Sequence, residues 1–189
     1  TWSTIIWLGS SLLGTSSYDV SYGAAVDSSD NIYLTGRTYG GLDNNTNLGS
    51  SDIILVKYNS SGTKQWTKQF GTSTQDIGNA LAIDSSNNIY VTGMDNNSNN
   101  FALRKYNSSG TEQWKVQFEG TASIGNGVIV DSSDNIFFTG STSTALHGNN
   151  NVGSGDIFLL KYNTSGTRQW TKLLGSSGID GSSGITLDN

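Results

Sequence analysis

The feature of the sequence that most constrains the fold is a ten-residue phrase that occurs three times. It reads KYNSSGTKQW at residues 57–66, KYNSSGTEQW at 105–114 and KYNTSGTRQW at 161–170. The three copies differ mainly in one charged position. A catalytic site is normally built once, whereas a phrase written three times indicates a repeated structural unit.

A second phrase precedes each copy of the first. It reads AVDSSDNIYLTG at 25–36, AIDSSNNIYVTG at 82–93 and IVDSSDNIFFTG at 129–140, and a fourth copy begins as TLDN at 186–189. Its aspartate falls at 27, 84, 131 and 188, so the spacings are 57, 47 and 57 residues. These spacings overlap the repeat lengths of β-propeller blades.

Each unit divides into four short strands separated by Asp/Asn and Gly turns. In the first unit the expected strands are residues 22–27, 32–36, 53–58 and 64–70, which are rich in β-branched and aromatic residues. We therefore predict an all-β fold of β-propeller blades with four antiparallel strands each. About three blades are complete, and partial strands flank them at both ends.

The blade boundaries follow from aligning the repeated phrases. Residues 1–13 are the last strand of a preceding blade or a strand that pairs with a neighbour, and 14–70, 71–118 and 119–174 are the three blades. Residues 175–189 begin a further blade. Three blades fall short of the usual ring of four to eight, so we expect either that the chain is a piece of a longer propeller or that several copies assemble.

The phrases VDSSDNIYLTG, SSDIILVKYNSSGTKQW and FGTSTQD resemble the SBBP-type β-propeller repeats of bacterial surface and secreted proteins. The resemblance covers residues 14–189. The family pattern has a turn glycine where this chain has Asp30, Asn87 and Asp134. The resemblance implies a propeller fold and a location outside the cytoplasm, at the cell surface or secreted, and it implies no single activity.

Composition excludes several classes of partner. The net charge of −5 and the pI near 4.6 argue against nucleic acid and against an anionic membrane surface. There is no cysteine, and no apolar run approaches the length of a membrane span. We expect no cofactor and no metal, because the Asp-Ser-Ser-Asp-Asn turns lack the ligand spacing of a calcium loop.

The repeated tryptophans are expected to pack between adjacent sheets as part of the structural repeat. They are Trp66, Trp114 and Trp170. The alternative is a ring of aromatic residues that stack on a ligand.

Two further groups of residues are candidates for a binding site. Three carboxylates, Asp19, Asp76 and Asp180, each lie eight residues before a repeated aspartate, near the expected axial mouth. The two long loops, 37–52 and 141–156, are expected on the same face, and loops on a rigid scaffold often bind ligands. The loop candidates for ligand binding are Arg37, Tyr39, Asp43, Asn45, His147 and Asn149.

The leading functional interpretation is a non-catalytic extracellular propeller segment that acts as a structural or interaction module. Its expected partners are other copies of itself, missing blades of the same protein, a carbohydrate or a surface protein. The first alternative is a lectin-like face that binds carbohydrate or protein. The third is a fragment of a quinone-type propeller enzyme, because Gly62 and Trp66 fit the Gly-x-x-x-Trp ending of those repeats.

Overall fold

A computed structural model describes residues 12–95, 100–119 and 124–188, and this part of the chain is built from three four-stranded antiparallel sheets. The twelve strands are β1 (Asp19–Val26), β2 (Ile32–Thr38), β3 (Asp52–Tyr58), β4 (Lys64–Phe70), β5 (Ile77–Ile83), β6 (Ile89–Asp95), β7 (Asn100–Tyr106), β8 (Glu112–Glu119), β9 (Ile124–Val130), β10 (Ile136–Thr142), β11 (Asp156–Tyr162) and β12 (Arg168–Leu174).

Each sheet is a meander in which sequential strands are neighbours, in the orders β1-β2-β3-β4, β5-β6-β7-β8 and β9-β10-β11-β12. The only helix in the described residues is a single 3-10 turn, Leu42–Asn44. None of the described residues forms a helix long and apolar enough to cross a membrane. The predicted all-β fold of four-stranded, propeller-like blades is therefore confirmed.

The repeated aspartate shapes the turn between the first two strands of each blade. Asp27 Oδ1 accepts hydrogen bonds from the main-chain nitrogens of Ser29 and Asn31, both at 2.9 Å, and Tyr33 donates its hydroxyl to Oδ2 at 3.1 Å. Burial alone would raise the pKa of Asp27, but these bonds outweigh it and hold the pKa below its ordinary value. The turn ends β1 at Val26, one residue earlier than predicted.

The KYNSSG phrase forms the hairpin between the third and fourth strands. Asn59 Oδ1 accepts from the main-chain nitrogens of Ser61 at 3.1 Å and Thr63 at 2.8 Å. Gly62 has a φ of 77°, which glycine adopts without steric cost. Gly110 and Gly166 have the same conformation, which explains why all three copies keep a glycine there.

The core lies between the sheets. Ile53 and Leu55 of the first sheet pack against Ile89 and Val91 of the second, and all four side chains are at most 2% exposed. A larger cluster joins the second and third sheets and contains Phe101, Leu103, Phe118, Phe138, Phe158 and Leu160. Each buried side chain of this size stabilises the fold by about 1.5–3 kcal/mol, so the sheets hold one another.

The innermost strands pack very closely. A Cβ on Gly23 would lie 3.1 Å from Ala80 Cα, and one on Gly127 would lie 3.2 Å from Gly184 Cα. Because Ala80 and Gly184 are equivalent positions of the repeat, residues 182–187 follow the path of a fourth innermost strand. The predicted strand at 182–189 nevertheless has no pairing partner in the described structure. The predicted strand at 1–13 lies outside the described residues, apart from Leu12 and Leu13.

Candidate functional site

The carboxylates predicted at the axial mouth each hold the connection that contains them. Asp19 accepts from the nitrogen of Thr15 at 2.7 Å and from its hydroxyl at 3.0 Å. Asp76 accepts from the nitrogen of Thr72 at 2.7 Å. Asp180 accepts from the nitrogen of Ser176 at 2.7 Å and from its hydroxyl at 2.9 Å. The described contacts give each carboxylate the role of closing a turn between blades.

The two long loops share one internal geometry. Asn45 donates its amide to the carbonyl of Leu42 at 2.7 Å, and Asn149 donates to the carbonyl of Leu146 at 3.1 Å. Both leucines are buried. The two predicted ligand residues Asn45 and Asn149 thus occupy equivalent positions, and the contacts of their side chains close the loops from within.

Asp43 and His147 are also equivalent, and both have a positive φ, of 50° and 52°. Asp43 pairs with Lys64 at 2.5 Å and accepts from the Thr67 hydroxyl, which holds the pKa of Asp43 below its ordinary value. His147 Nδ1 lies 2.9 Å from the Thr171 hydroxyl. These two candidates therefore fasten their loops to the outermost strand of their own blade.

The surroundings of His147 disfavour its charged form. Burial lowers the pKa of His147, and the nearby Arg168 lowers it further. In the first blade the same place holds the favourable pair of Asp43 and Lys64. The third blade has thus exchanged an ion pair for a neutral imidazole beside an arginine.

Arg37 and Tyr39, the remaining loop candidates, belong to an aromatic cluster at the edge of the first blade. The guanidinium carbon of Arg37 lies 5.2 Å from the ring centroid of Tyr39 and 5.8 Å from that of Tyr22. Tyr18 packs on Tyr39 with a centroid distance of 6.0 Å. We call Arg37, Tyr18, Tyr22 and Tyr39 the arginine–tyrosine cluster. Tyr18 is 64% exposed and Tyr22 47%, so the cluster presents aromatic surface to solvent.

Tyr22 reaches the cluster because of a β-bulge. The register of β1 on β2 shifts between Ser21 and Gly23, which leaves Tyr22 as the extra residue. Bulges at the same place leave Asn79 in β5 and Asn126 in β9 as the extra residues. All three bulged residues line a central cleft of about 360 Å³ between the innermost strands.

The two bulged asparagines tie neighbouring blades together, whereas Tyr22 has a different environment. Asn79 donates to the carbonyl of Gly125 at 2.9 Å, and Asn126 donates to the carbonyl of Ser182 at 2.7 Å. The first blade places an aromatic ring where the others place this amide. This departure from the repeat is the one sequence signal that could have identified Tyr22.

Arg37 departs from the repeat as well. Aligned on the repeated aspartate, its position holds Met94 in the second blade and Ser141 in the third, and the position of Tyr39 holds Ser143 in the third. The blade framework is thus built without these residues. Contacting residues confined to one blade are not needed to build the blade, so they are candidates for a separate role.

Two segments of the sequence match one family of repeats. Residues 9–43 and residues 65–102 each match the family model described as a beta-propeller repeat, SBBP. These two segments are SBBP β-propeller repeats. The resemblance inferred from the repeated phrases is confirmed in these segments. Comparison of the sequence with curated proteins finds no match.

Neighbouring blades are fastened to each other by a lysine and a tryptophan. Lys105 donates to the carbonyl of Thr164 in the next hairpin at 3.0 Å, and Trp114 donates its indole N–H to the same oxygen at 3.2 Å. Lys57 reaches the equivalent carbonyl of Ser108 at 3.4 Å. Trp66 and Trp114 also lie against Gly110 and Gly166 of the following hairpins.

The third blade presents the same pair, Lys161 and Trp170, without a hairpin to bind in the described structure. Trp170 contacts Phe137 of its own sheet, and Lys161 lies over the same ring.

No group of three or more His, Cys, Asp or Glu in the described ranges could hold a metal ion. The arginine–tyrosine cluster therefore remains the strongest candidate for a site that binds a ligand.

Proposed function

We propose that this chain is a non-catalytic structural and interaction module of an extracellular or cell-surface bacterial protein. Its two outer sheet faces would be covered by other copies or by further blades. One observation carries this proposal. Ile32 in the first blade is 36% exposed, whereas the equivalent Ile89 and Ile136 are 0% exposed because a preceding blade covers them.

The opposite end of the molecule supports the same proposal. Ile157 and Leu159 of the third blade are only half-buried, although their counterparts in the first two blades are at most 2% exposed. These two side chains line a groove of about 350 Å³ together with Leu174 and Ile185. The groove lies where the first two blades receive the strands of the next blade.

Residues 182–187 explain why the groove would accept a β-strand. They lie against β9 as a fourth innermost strand would, and Thr139 donates its hydroxyl to Ser182 Oγ at 3.0 Å. Their outer edge has no strand beside it in the described structure. Unpaired strand edges are rarely left bare in stable proteins, so a strand from a copy or from a further blade would complete the sheet.

The proposal that the chain is non-catalytic is supported by the contacts of its titratable groups. Asp43 and His147 hold their loops, and Asp19, Asp76 and Asp180 hold the connections between blades. A catalytic acid or base must instead face a space that a substrate can enter. The location outside the cytoplasm is supported by the SBBP resemblance.

Solution mass tests the assembly proposal. We would measure light scattering over a hundredfold range of concentration for the wild type and for Ile32→Lys. Leu48→Lys is the control, because Leu48 is a loop residue, 53% exposed, and the adjacent Gly49 lies against the connection to the second blade at Thr72 and Thr74. We expect a discrete oligomer for the wild type and the control, and a monomer for Ile32→Lys. A wild type that stays monomeric throughout would show that copies do not cover these faces.

A second candidate function is the binding of carbohydrate, and the arginine–tyrosine cluster favours it. Exposed tyrosine rings offer flat faces for sugar rings, and the cluster adjoins the central cleft through Tyr22. Thermal melting with and without neutral and acidic oligosaccharides tests this function. It is independent of assembly, because Arg37 is paired with Ile53, which packs against the second sheet, so Arg37 and Ile32 lie on opposite faces of the first sheet.

A further inference from the structure

The environment of Arg37 differs from that of the other half-buried arginine. Arg104 donates to Glu112 at 2.7 Å and to Asp95 at 2.9 Å, so a carboxylate pairs with each of its two terminal nitrogens. The side chain of Arg37 forms no hydrogen bond or ion pair with any described residue. Its Nε is buried without a partner, as is the Nε of Arg104, but Arg37 also lacks the carboxylates that pair with the terminal nitrogens of Arg104. The contacts of its guanidinium are the rings of Tyr22 and Tyr39.

An arginine held in this way is prepared for an anionic ligand. Two tyrosine rings contact the guanidinium, and no described residue supplies an acceptor for it. A planar guanidinium offers parallel N–H groups that match the two oxygens of a carboxylate. A fork that is already oriented loses less entropy when it binds a carboxylate than a free side chain does.

The tyrosine rings favour a ligand that has a flat, weakly polar surface beside its anionic group. The cluster forms a row from Tyr18 through Tyr39 and Arg37 to Tyr22, and the row ends at the central cleft. Gln75 lies 3.5 Å from the Tyr39 hydroxyl and supports that ring from the next connection. Such a row suits several linked rings better than one small anion.

We propose that the arginine–tyrosine cluster is a subsite for a carboxylated sugar of the hexuronate class, within an acidic polysaccharide. This inference deepens the second candidate function and rests on it. Arg37 would bind the carboxylate, and the rings of Tyr22 and Tyr39 would stack on the sugar faces. A nucleic acid is disfavoured, because the chain carries a net charge of −5 and the single cation of the cluster suits one carboxylate beside stacked sugar rings rather than a run of phosphates.

Tyr22 occupies the bulged position that holds an asparagine in the other two blades. This difference supports the proposal, because it removes a hydrogen bond between blades and adds a ring to the subsite. The other blades use this bulged position for a bond between blades, from Asn79 to Gly125 and from Asn126 to Ser182. The first blade gives up that bond and places an aromatic ring beside Arg37. Tyr22→Asn would therefore restore the residue that the fold uses elsewhere and remove one wall of the subsite.

The experiment is a titration of the full chain with trigalacturonic acid, followed by saturation-transfer NMR and calorimetry at low salt. Neutral galactotriose, acetate and a glutamate-containing tripeptide are the comparison ligands. We expect trigalacturonic acid to bind at least tenfold more tightly than each of them. Binding should weaken at least tenfold in Arg37→Gln and about fivefold in Arg37→Lys, which keeps the charge but loses the planar fork.

Two variants guard against loss of the fold. Tyr22→Asn should reduce binding at least fivefold while the melting temperature is unchanged or raised. Arg168→Gln, at an exposed arginine of the third blade, should bind like the wild type. Equal affinity for the charged and neutral trimers, or for the acidic tripeptide, would overturn the assignment. Undiminished binding by Arg37→Gln would do the same. Light scattering on Arg37→Gln separates this result from the assembly proposal, because its mass should match the wild type.

Discussion

Trp114 and Thr164 join the second and third blades through one hydrogen bond, from the indole N–H to a main-chain oxygen at 3.2 Å. The tryptophan also lies against Gly166 in the same hairpin. Trp170 is its counterpart in the third blade, and its ring contact within the described structure is with Phe137 of its own sheet. The same residue type thus has two environments, which allows a direct comparison.

We predict that Trp114→Ala lowers the free energy of unfolding by about 3 kcal/mol, since it removes packing and a hydrogen bond between blades. Trp170→Ala should cost about 1 kcal/mol at concentrations where the chain is monomeric. Urea unfolding of both variants provides the measurement. Equal costs would contradict the assignment of Trp114 to the junction between blades.

The turns with positive φ give a second comparison. Asp30 and Asp134 have φ values of 60° and 59°. The Asp30 side chain forms no hydrogen bond with a described residue. Asp134 of the third blade accepts from the main-chain nitrogen of Ser85 in the second blade at 2.9 Å and from its hydroxyl at 2.6 Å. A glycine would relieve the steric cost of the positive φ at both positions. At position 134 it would also remove the hydrogen bonds to Ser85.

We therefore predict that Asp30→Gly leaves the free energy of unfolding unchanged or raises it by up to about 0.5 kcal/mol. Asp134→Gly should lower it by about 1–2 kcal/mol, because the bonds to Ser85 are lost. Thermal and urea unfolding of the two variants compare these effects. A matching response would mean that the bonds of Asp134 do not contribute to stability.

The third blade has His147 where the first has Asp43, and this difference predicts that the free energy of unfolding depends on pH. The pKa of His147 is lowered in the folded state, so the folded chain favours the neutral imidazole and the unfolded chain takes up the proton more readily. The stabilisation is present above the ordinary histidine pKa of about 6.5 and is lost as the pH falls through and below that value.

His147→Asp should remove this loss, because it recreates beside Arg168 the pair that Asp43 forms with Lys64. We expect a gain of about 0.5 kcal/mol at pH 7, the size of an exposed ion pair. Melting temperatures of the wild type and the variant from pH 8 to pH 5 test both parts. Parallel curves for the two proteins would show that His147 is not the group responsible.

The buried charges of the second blade give the fourth prediction. Arg104 pairs with Asp95, which is 0% exposed, and with Glu112, while Lys115 also pairs with Asp95 at 2.6 Å. Arg104 lies over the ring of Phe70 in the first blade. The first blade has the corresponding residues Thr38, Val56, Lys64 and Thr67.

We predict that Arg104→Ala costs about 3–5 kcal/mol, since it leaves the Asp95 carboxylate buried with less compensation. Replacing Asp95, Arg104, Glu112 and Lys115 together by their first-blade counterparts should cost less than about 1 kcal/mol, because no buried charge remains. Urea unfolding decides between the two. A quadruple variant as unstable as Arg104→Ala would show that the charged network contributes net stability.

Most of the fold was predictable because the repeat reports each strand and turn three times. The strand bounds 53–58 and 64–70 agree with the structure within one residue. The first strand was predicted from 22 but begins at Asp19, because the bulge at Tyr22 lets the pairing with β2 continue. A bulge is not visible as a break in the alternation of a short, small-residue strand.

The candidate site was only half predictable. Arg37 and Tyr39 were selected because they lie on a long loop, but Tyr18 and Tyr22 belong to another strand that pairing brings alongside. Asp43, His147 and the two loop asparagines looked similar as polar loop residues. Their contacts with Thr67, Thr171, Leu42 and Leu146 depend on how each loop folds back on its blade.

The sequence by itself determined the unit, its four strands and its turns, because those depend on local chemistry that every copy repeats: Asp and Asn at the caps, Gly62 and its equivalents at positive φ, and β-branched residues between them. Only the tertiary structure decided which side chains meet. Identical residues such as Ile32 and Ile89 differ in exposure because one has a blade in front of it. Arg37 lacks an acceptor because the strands around it place rings, and no carboxylate of the described residues, within reach of its guanidinium.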